Sequence, residues 1–283
     1  MVRGEVACLG LVVAVCGSLL AGCTSGGGDS SGDDAAAGGR VTVTADPSPR
    51  TSAGLDPAGL PTTATRAAAL VREVVAQPAA FGPDTVRSSP YESDPRRWAV
   101  LGEDCVWEQR ARPRSILATL TRHYEVPAGG GRGPLRLTAV VTAHRTAERA
   151  DWENAEVLEE MMRCPSQLLR DGEVLGELTD VPAYFGEALS GYADDILTET
   201  GSYASDELGG PHAYVWSQTR IGQFTLAVSA KGSEGWAESD LFDRLRDPHS
   251  GMRAALRAEV GRDAPDGGDP PSARPGGTGD DRR

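Results

Sequence analysis

Lysine is nearly absent from this chain of 283 residues: Lys231 stands alone, and arginine carries every other permanent positive charge. Positive charge is scarce as a whole, with 28 basic against 41 acidic residues and a formal net charge of −13. A protein so charged is repelled by phosphate and by an anionic bilayer surface, which excludes nucleic acid as a partner. Catalytic signatures are missing too. There is no Gly-x-Ser-x-Gly elbow, no His-Glu-x-x-His pair and no phosphate-binding glycine loop; the cluster Gly129, Gly130, Gly131 and Gly133 runs straight into Pro134. His123, His144, His212 and His249 are scattered without metal-ligand spacing. A hydrolase reading therefore lacks a recognisable nucleophile, and no residue is singled out as catalytic, as a metal ligand or as a cofactor contact.

Long apolar runs are confined to one place. Val6 to Ala21, broken by Gly10, Gly17, Ser18 and two cysteines, follows Arg3 and gives way to Gly/Ser sequence after Cys23. A bilayer span needs about 20 apolar residues, so the run suits a signal peptide better than a permanent span. It closes with Leu20-Ala21-Gly22-Cys23, which resembles the lipobox of bacterial lipoproteins. That resemblance implies cleavage before Cys23, a diacylglyceryl group on its thiol, and a mature protein lipid-anchored to the outer, extracytoplasmic face of the cell membrane. Two or three acyl chains at roughly 0.8 kcal/mol per buried CH₂ suffice for lasting attachment. Of five cysteines, Cys8 and Cys16 leave with the signal peptide and Cys23 is taken by lipid. Cys105 and Cys164 remain in an oxidising compartment and are expected to form a disulfide, because neither His nor further Cys is spaced to build a metal site with them.

Composition divides the chain into a signal peptide (1–22), a lipid-anchored tether (23–61), a folded domain (62–261) and a tail (262–283). The tether and tail are rich in Gly, Ser, Asp, Thr and Pro and hold too few large apolar side chains to offset ordering entropy. Taken as flexible coil, the tether sets the domain about 35 Å from the lipid. Within the domain, Thr62-Thr63 precedes a helical stripe of Ala67, Val71, Val74 and Val75 that Pro78 stops. A loop is expected from there to Trp98. Ile116, Ala118, Leu120, Tyr124 and Val126 then alternate with polar residues, as do Leu135, Leu137, Ala139 and Val141, predicting a hairpin. Thr146 to Cys164-Pro165 is helical in period. Ile196–Tyr203, His212–Thr219 and Gln223–Ala230 read as strands, the last two joined at Arg220-Ile221-Gly222, and two short helices follow, split at Pro248. The expected class is α+β: one domain with an antiparallel sheet and helices covering one face.

Cys105-Val106-Trp107, together with the stretch Arg220 to Val228, resembles the extracellular sensor domain of actinobacterial receptor Ser/Thr protein kinases of the mycobacterial H type. The same fold occurs in free-standing lipoproteins of those bacteria. In element order the resemblance runs from Thr62 to Gly261, and it implies an antiparallel sheet, helices on one side and a ligand-binding groove. It carries no catalytic residue over. The chain departs from that pattern in lacking a second disulfide, a kinase domain and a transmembrane helix.

Tyr184, Phe185, Tyr192, Tyr203, Tyr214 and Trp216 gather half-polar aromatics in the second half of the domain. Such side chains serve cores, and they also line pockets; Tyr184, Tyr203, Tyr214 and Trp216 are the candidate ligand contacts. Asp194, Asp195, Glu199, Asp206 and Glu207 could offer oxygens to calcium, but they lack the Asp-x-Asp-x-Asp-Gly rhythm and read as a solvated acidic loop. Two functions remain: a non-enzymatic sensor or ligand-binding lipoprotein taking a small molecule or an envelope protein, or a cell-envelope hydrolase or protein-assembly factor.

Overall fold

The computed structural model describes residues 55–181 and 193–261. Helix α1 (Ala64–Val74) starts where the hydroxyl of Thr63 accepts the Arg66 N–H, and it buries Ala67, Val71 and Val74. A short 3-10 turn (Pro78–Phe81) leads to strand β1 (Val86–Glu92). Strands β2 (Arg97–Leu101) and β3 (Trp107–Ala111) form a small separate hairpin. Strands β4 (Ile116–Val126) and β5 (Leu135–His144) make the hairpin expected from their alternation, and helix α2 (Ala147–Arg163) follows from its cap Thr146. Then come β6 (Gln167–Arg170), β7 (Glu173–Asp180), β8 (Asp195–Ser205), β9 (Gly209–Ile221), β10 (Phe224–Lys231) and helix α3 (Glu238–Val260).

Eight strands form one antiparallel sheet in the order β1-β4-β5-β10-β9-β8-β7-β6. The α+β class and both expected pairings, β4 with β5 and β9 with β10, are present. Gly222, at φ 57°, makes the tight turn between Ile221 and Phe224, a conformation that glycine adopts without steric cost. The sheet is curled. In a flat sheet β5 and β7, four strand steps apart, would lie about 19 Å from each other. Yet Arg136 Nη1 of β5 donates to Glu173 Oε1 of β7 at 2.7 Å, which the two side chains could not span unless the sheet bent towards that face.

The main apolar core lies on the opposite, convex face. There α1 and α3 pack on Leu120, Tyr124, Leu137, Val141, Val215, Phe224, Leu226 and Val228. Leu55 joins this core at 2% exposure and bridges Gly261, so ordered packing begins ahead of residue 62.

Four features differ from the sequence expectation. Helices cover both faces, not one: α2 lies on the concave face, where Asn154 accepts from Gln218 and Glu153 accepts from Thr225. Polar residues of β9 and β10, which alternation would normally assign to solvent, here meet polar groups of α2. The stretch expected to be a loop contains β1, the sheet's edge strand, which tolerates Pro90 at an irregularity where its register with β4 shifts between Arg87 and Glu92. Strand β6, at four residues, is too short to show a period, and β7 is broken by a register shift between Gly176 and Thr179, so neither is legible in the sequence. Finally, α3 runs unbroken through Pro248, because Leu241, Leu245, Met252, Leu256 and Val260 keep a continuous buried stripe against the sheet. That packing outweighs the roughly 3 kcal/mol that an internal proline costs a helix.

Candidate functional site

Cys105 and Cys164 are joined, with Cα atoms 5.5 Å apart and a sequence separation of 59. Beside the bond, Trp107 Nε1 donates to Gln167 Oε1 at 2.8 Å, and Leu168 N donates to Cys105 O, so the β2–β3 hairpin is fastened to β6 and to the end of α2. Cys23 and Tyr184 lie outside the described residues.

Of the aromatic candidates, Tyr203 and Tyr214 share the concave face with Trp216 and pack with Met161, Leu175 and Leu178. They are 0% and 7% exposed, and Trp216 is half-buried against the same cluster. Gly201 makes room for this arrangement: a Cβ there would stand 2.7 Å from the Gly176 carbonyl oxygen of the neighbouring strand. The fold therefore brings the three described aromatics together, but as packing partners. Around them lies a polar interior that the sequence did not announce. Glu173 takes Arg136, Arg170 and the sole lysine, Lys231, at one carboxylate, and Tyr203 Oη accepts from Arg136 at 2.8 Å. Burial alone would raise Glu173, but Arg170, Lys231 and Arg136 outweigh it and hold its carboxyl below the ordinary value. Burial lowers Lys231, and burial with the neighbouring Lys231 and Arg170 lowers His123. Further along the same face, burial and then Glu156 push Glu160 up to about 7, and burial and then Glu160 and Asp180 push Glu199 up to about 7.

The acidic residues weighed for calcium are dispersed. Asp194 and Asp195 pair with Arg220, Glu207 pairs with Arg136, and Glu199 faces α2. Among the described residues, no three His, Cys, Asp or Glu side chains converge to hold a metal ion. Two of the histidines are likewise committed to the fold. His249 Nε2 lies 2.8 Å from Thr219 Oγ1, and burial drives its pKa to about 3, too low for proton exchange near neutrality. His144 Nε2 sits 2.5 Å from Glu153 beneath α2 at 2% exposure, out of reach of a substrate.

A cleft of about 410 Å³ opens elsewhere, between α1, the loop before β2 and the start of β4. Its floor is apolar, from Val71, Leu117, Ala118 and Leu120, and its α1 wall carries Ala64, Thr65 and Ala68. Arg72, Arg96 and Arg112 stand at its margin. Arg72 pairs with Glu92 and Arg96 with Asp94. Arg112 differs: its Nε donates to the Pro95 carbonyl at 3.1 Å and its Nη1 to the Ile116 carbonyl, and among the described residues it meets no carboxylate. Sequence reasoning passed over all three arginines, because each lies on a different element and only the fold assembles them.

No family model matches the sequence, and no curated protein matches it. A solved structure is similar. It is an uncharacterised protein from Mycobacterium smegmatis, the Rv0999 ortholog, 14% identical, with the match covering 65% of this chain and 97% of that one at a TM-score of 0.31. A likeness of that degree transfers neither a family nor a role.

Proposed function

We propose that the protein is a lipid-anchored binding protein of the extracytoplasmic face, without catalytic activity, and that its ligand occupies the cleft between α1 and β4. The observation that supports this is the cleft itself, which at about 410 Å³ falls in the roughly 300–1,000 Å³ range of small-molecule sites and has the apolar floor and sparse polar margin such sites need. The site thus moves away from Tyr203, Tyr214 and Trp216. The likeness to kinase sensor domains, carried by Cys105–Trp107 and Arg220–Val228, points the same way. A hydrolase would draw on His144 and Glu153, but Thr225, the nearest hydroxyl bonded to that pair, donates to Glu153 and offers no nucleophile to the imidazole.

Native mass spectrometry of the protein recovered from an envelope extract tests the reading. A bound small molecule is expected on the wild type and absent from Ala68→Trp, since Ala68 is exposed and a bulky ring there fills the cleft without entering the core. The same molecule retained by Ala68→Trp, or turnover of an envelope substrate, would count against it.

A further inference from the structure

The net charge of the chain favours a neutral or cationic ligand, but the cleft has the opposite local sign. Arg72 and the buried Arg122 share one carboxylate, Glu92, while Arg96 pairs with Asp94 and Arg112, among the described residues, meets only carbonyl oxygens. Four guanidinium groups thus stand against two carboxylates. The cleft-facing first turn of α1 contains no acidic residue, so the positive end of its dipole is left uncompensated by side chains. Below this rim the floor of Val71, Leu117 and Leu120 is apolar and almost wholly withdrawn from water.

Resting on the assignment of the cleft as the ligand site, we propose that the ligand is an anionic amphiphile: a carboxylate or phosphate head held by Arg112, with a short apolar body against the floor beneath α1. Arginine suits the head because its planar donor fork matches carboxylate and phosphate oxygens, and Arg112 is held in place by β3-side hydrogen bonds: its backbone N–H donates to the Arg96 carbonyl at 2.8 Å. The β2–β3 hairpin thereby fixes two cleft arginines, Arg96 and Arg112, side by side. Protein-wide net charge acts at long range and slows an anion's approach, whereas the contact energy is set by groups within a Debye length of about 8 Å.

The experiment is calorimetric titration with four probes of one chain length: octanoate, octyl phosphate, octanol and octyltrimethylammonium. Octanoate or octyl phosphate is expected to bind at least about tenfold more tightly than octanol, and whichever of the two binds better identifies the head group. Arg112→Gln should lower affinity for the anions by about tenfold or more while leaving octanol unchanged, and Arg112→Lys should recover part of it. Equal or tighter binding of octanol or of octyltrimethylammonium, an Arg112→Gln variant with undiminished anion binding, or no binding of any probe would overturn the ligand class. Those results leave the cleft as a site intact. Anion binding that survives unchanged in Ala68→Trp would instead overturn the cleft assignment itself. Thermal unfolding of each variant shows that it is folded, and rescue by lysine distinguishes loss of a head-group contact from loss of the Pro95 and Ile116 hydrogen bonds.

Discussion

Glu199 shows how a single residue registers its surroundings. It lies 8% exposed on the concave face of β8, opposite Trp216, and burial with repulsion from Glu160 and Asp180 raises its pKa from 4.5 to about 7. The folded state therefore holds a proton that the unfolded chain releases between those values, and stability falls as pH rises through that window. His249 acts in the reverse sense, because burial keeps it neutral when folded while the unfolded chain protonates it below about pH 6.5, and His123, whose pKa burial also lowers, adds in the same direction. A comparison of variants separates the two. Glu199→Gln should exceed the wild type in stability at pH 8 by on the order of a few kcal/mol, and the gap should close as pH falls towards 4.5. Urea midpoints at pH 5, 7 and 8 check this; a gap independent of pH would show that Glu199 titrates as an ordinary carboxyl. Arg122 is another case. It sits on the apolar side of β4 at 5% exposure and donates to the Val75 and Ala76 carbonyls beyond the end of α1, so a charge occupies a position that alternation assigns to the core.

At the scale of elements, local chemistry marked the ends of helices well. Thr63 and Thr146 cap α1 and α2 as their positions suggest, each accepting a backbone N–H three residues on. Pro248 was misleading, because a local rule about proline gives way to the buried stripe of α3 on either side of it. The Cys105–Cys164 bond is the strongest link between elements on the concave side. It closes a loop spanning a sequence separation of 59 and ties the β2–β3 hairpin, which forms a two-stranded sheet of its own, to the end of α2. In the chain-entropy model such a loop is worth about 4 kcal/mol. Cys164→Ser should accordingly lower the urea midpoint and should make the protein insensitive to dithiothreitol, whereas the wild type loses stability when reduced. A variant as stable as the oxidised wild type would show that the hairpin is held by its hydrogen bonds alone.

For the whole molecule, the proposed lipid on Cys23 predicts a mature N-terminus at that residue and partition into detergent, with Cys23→Ala released into the aqueous phase. Intact-mass and N-terminal peptide analysis decide between them; an unmodified Cys23, or a retained Val6–Ala21 segment, would refute the anchor. Fold class, the two long hairpins, the caps of α1 and α2 and the cysteine pair were determined by the sequence alone, because each depends on period, on a residue's own hydrogen-bonding chemistry or on elimination among few cysteines. Tertiary structure alone decided which polar residues are buried and which arginines meet. Thr142, Gln218 and Glu199 alternate like solvent-facing positions and are buried, because the curl of the sheet makes an inner face that α2 covers. Arg72, Arg96 and Arg112 come from α1, from the turn into β2 and from the end of β3, with no shared period, and only the antiparallel pairing of that hairpin beside the first turns of α1 sets them around one cleft.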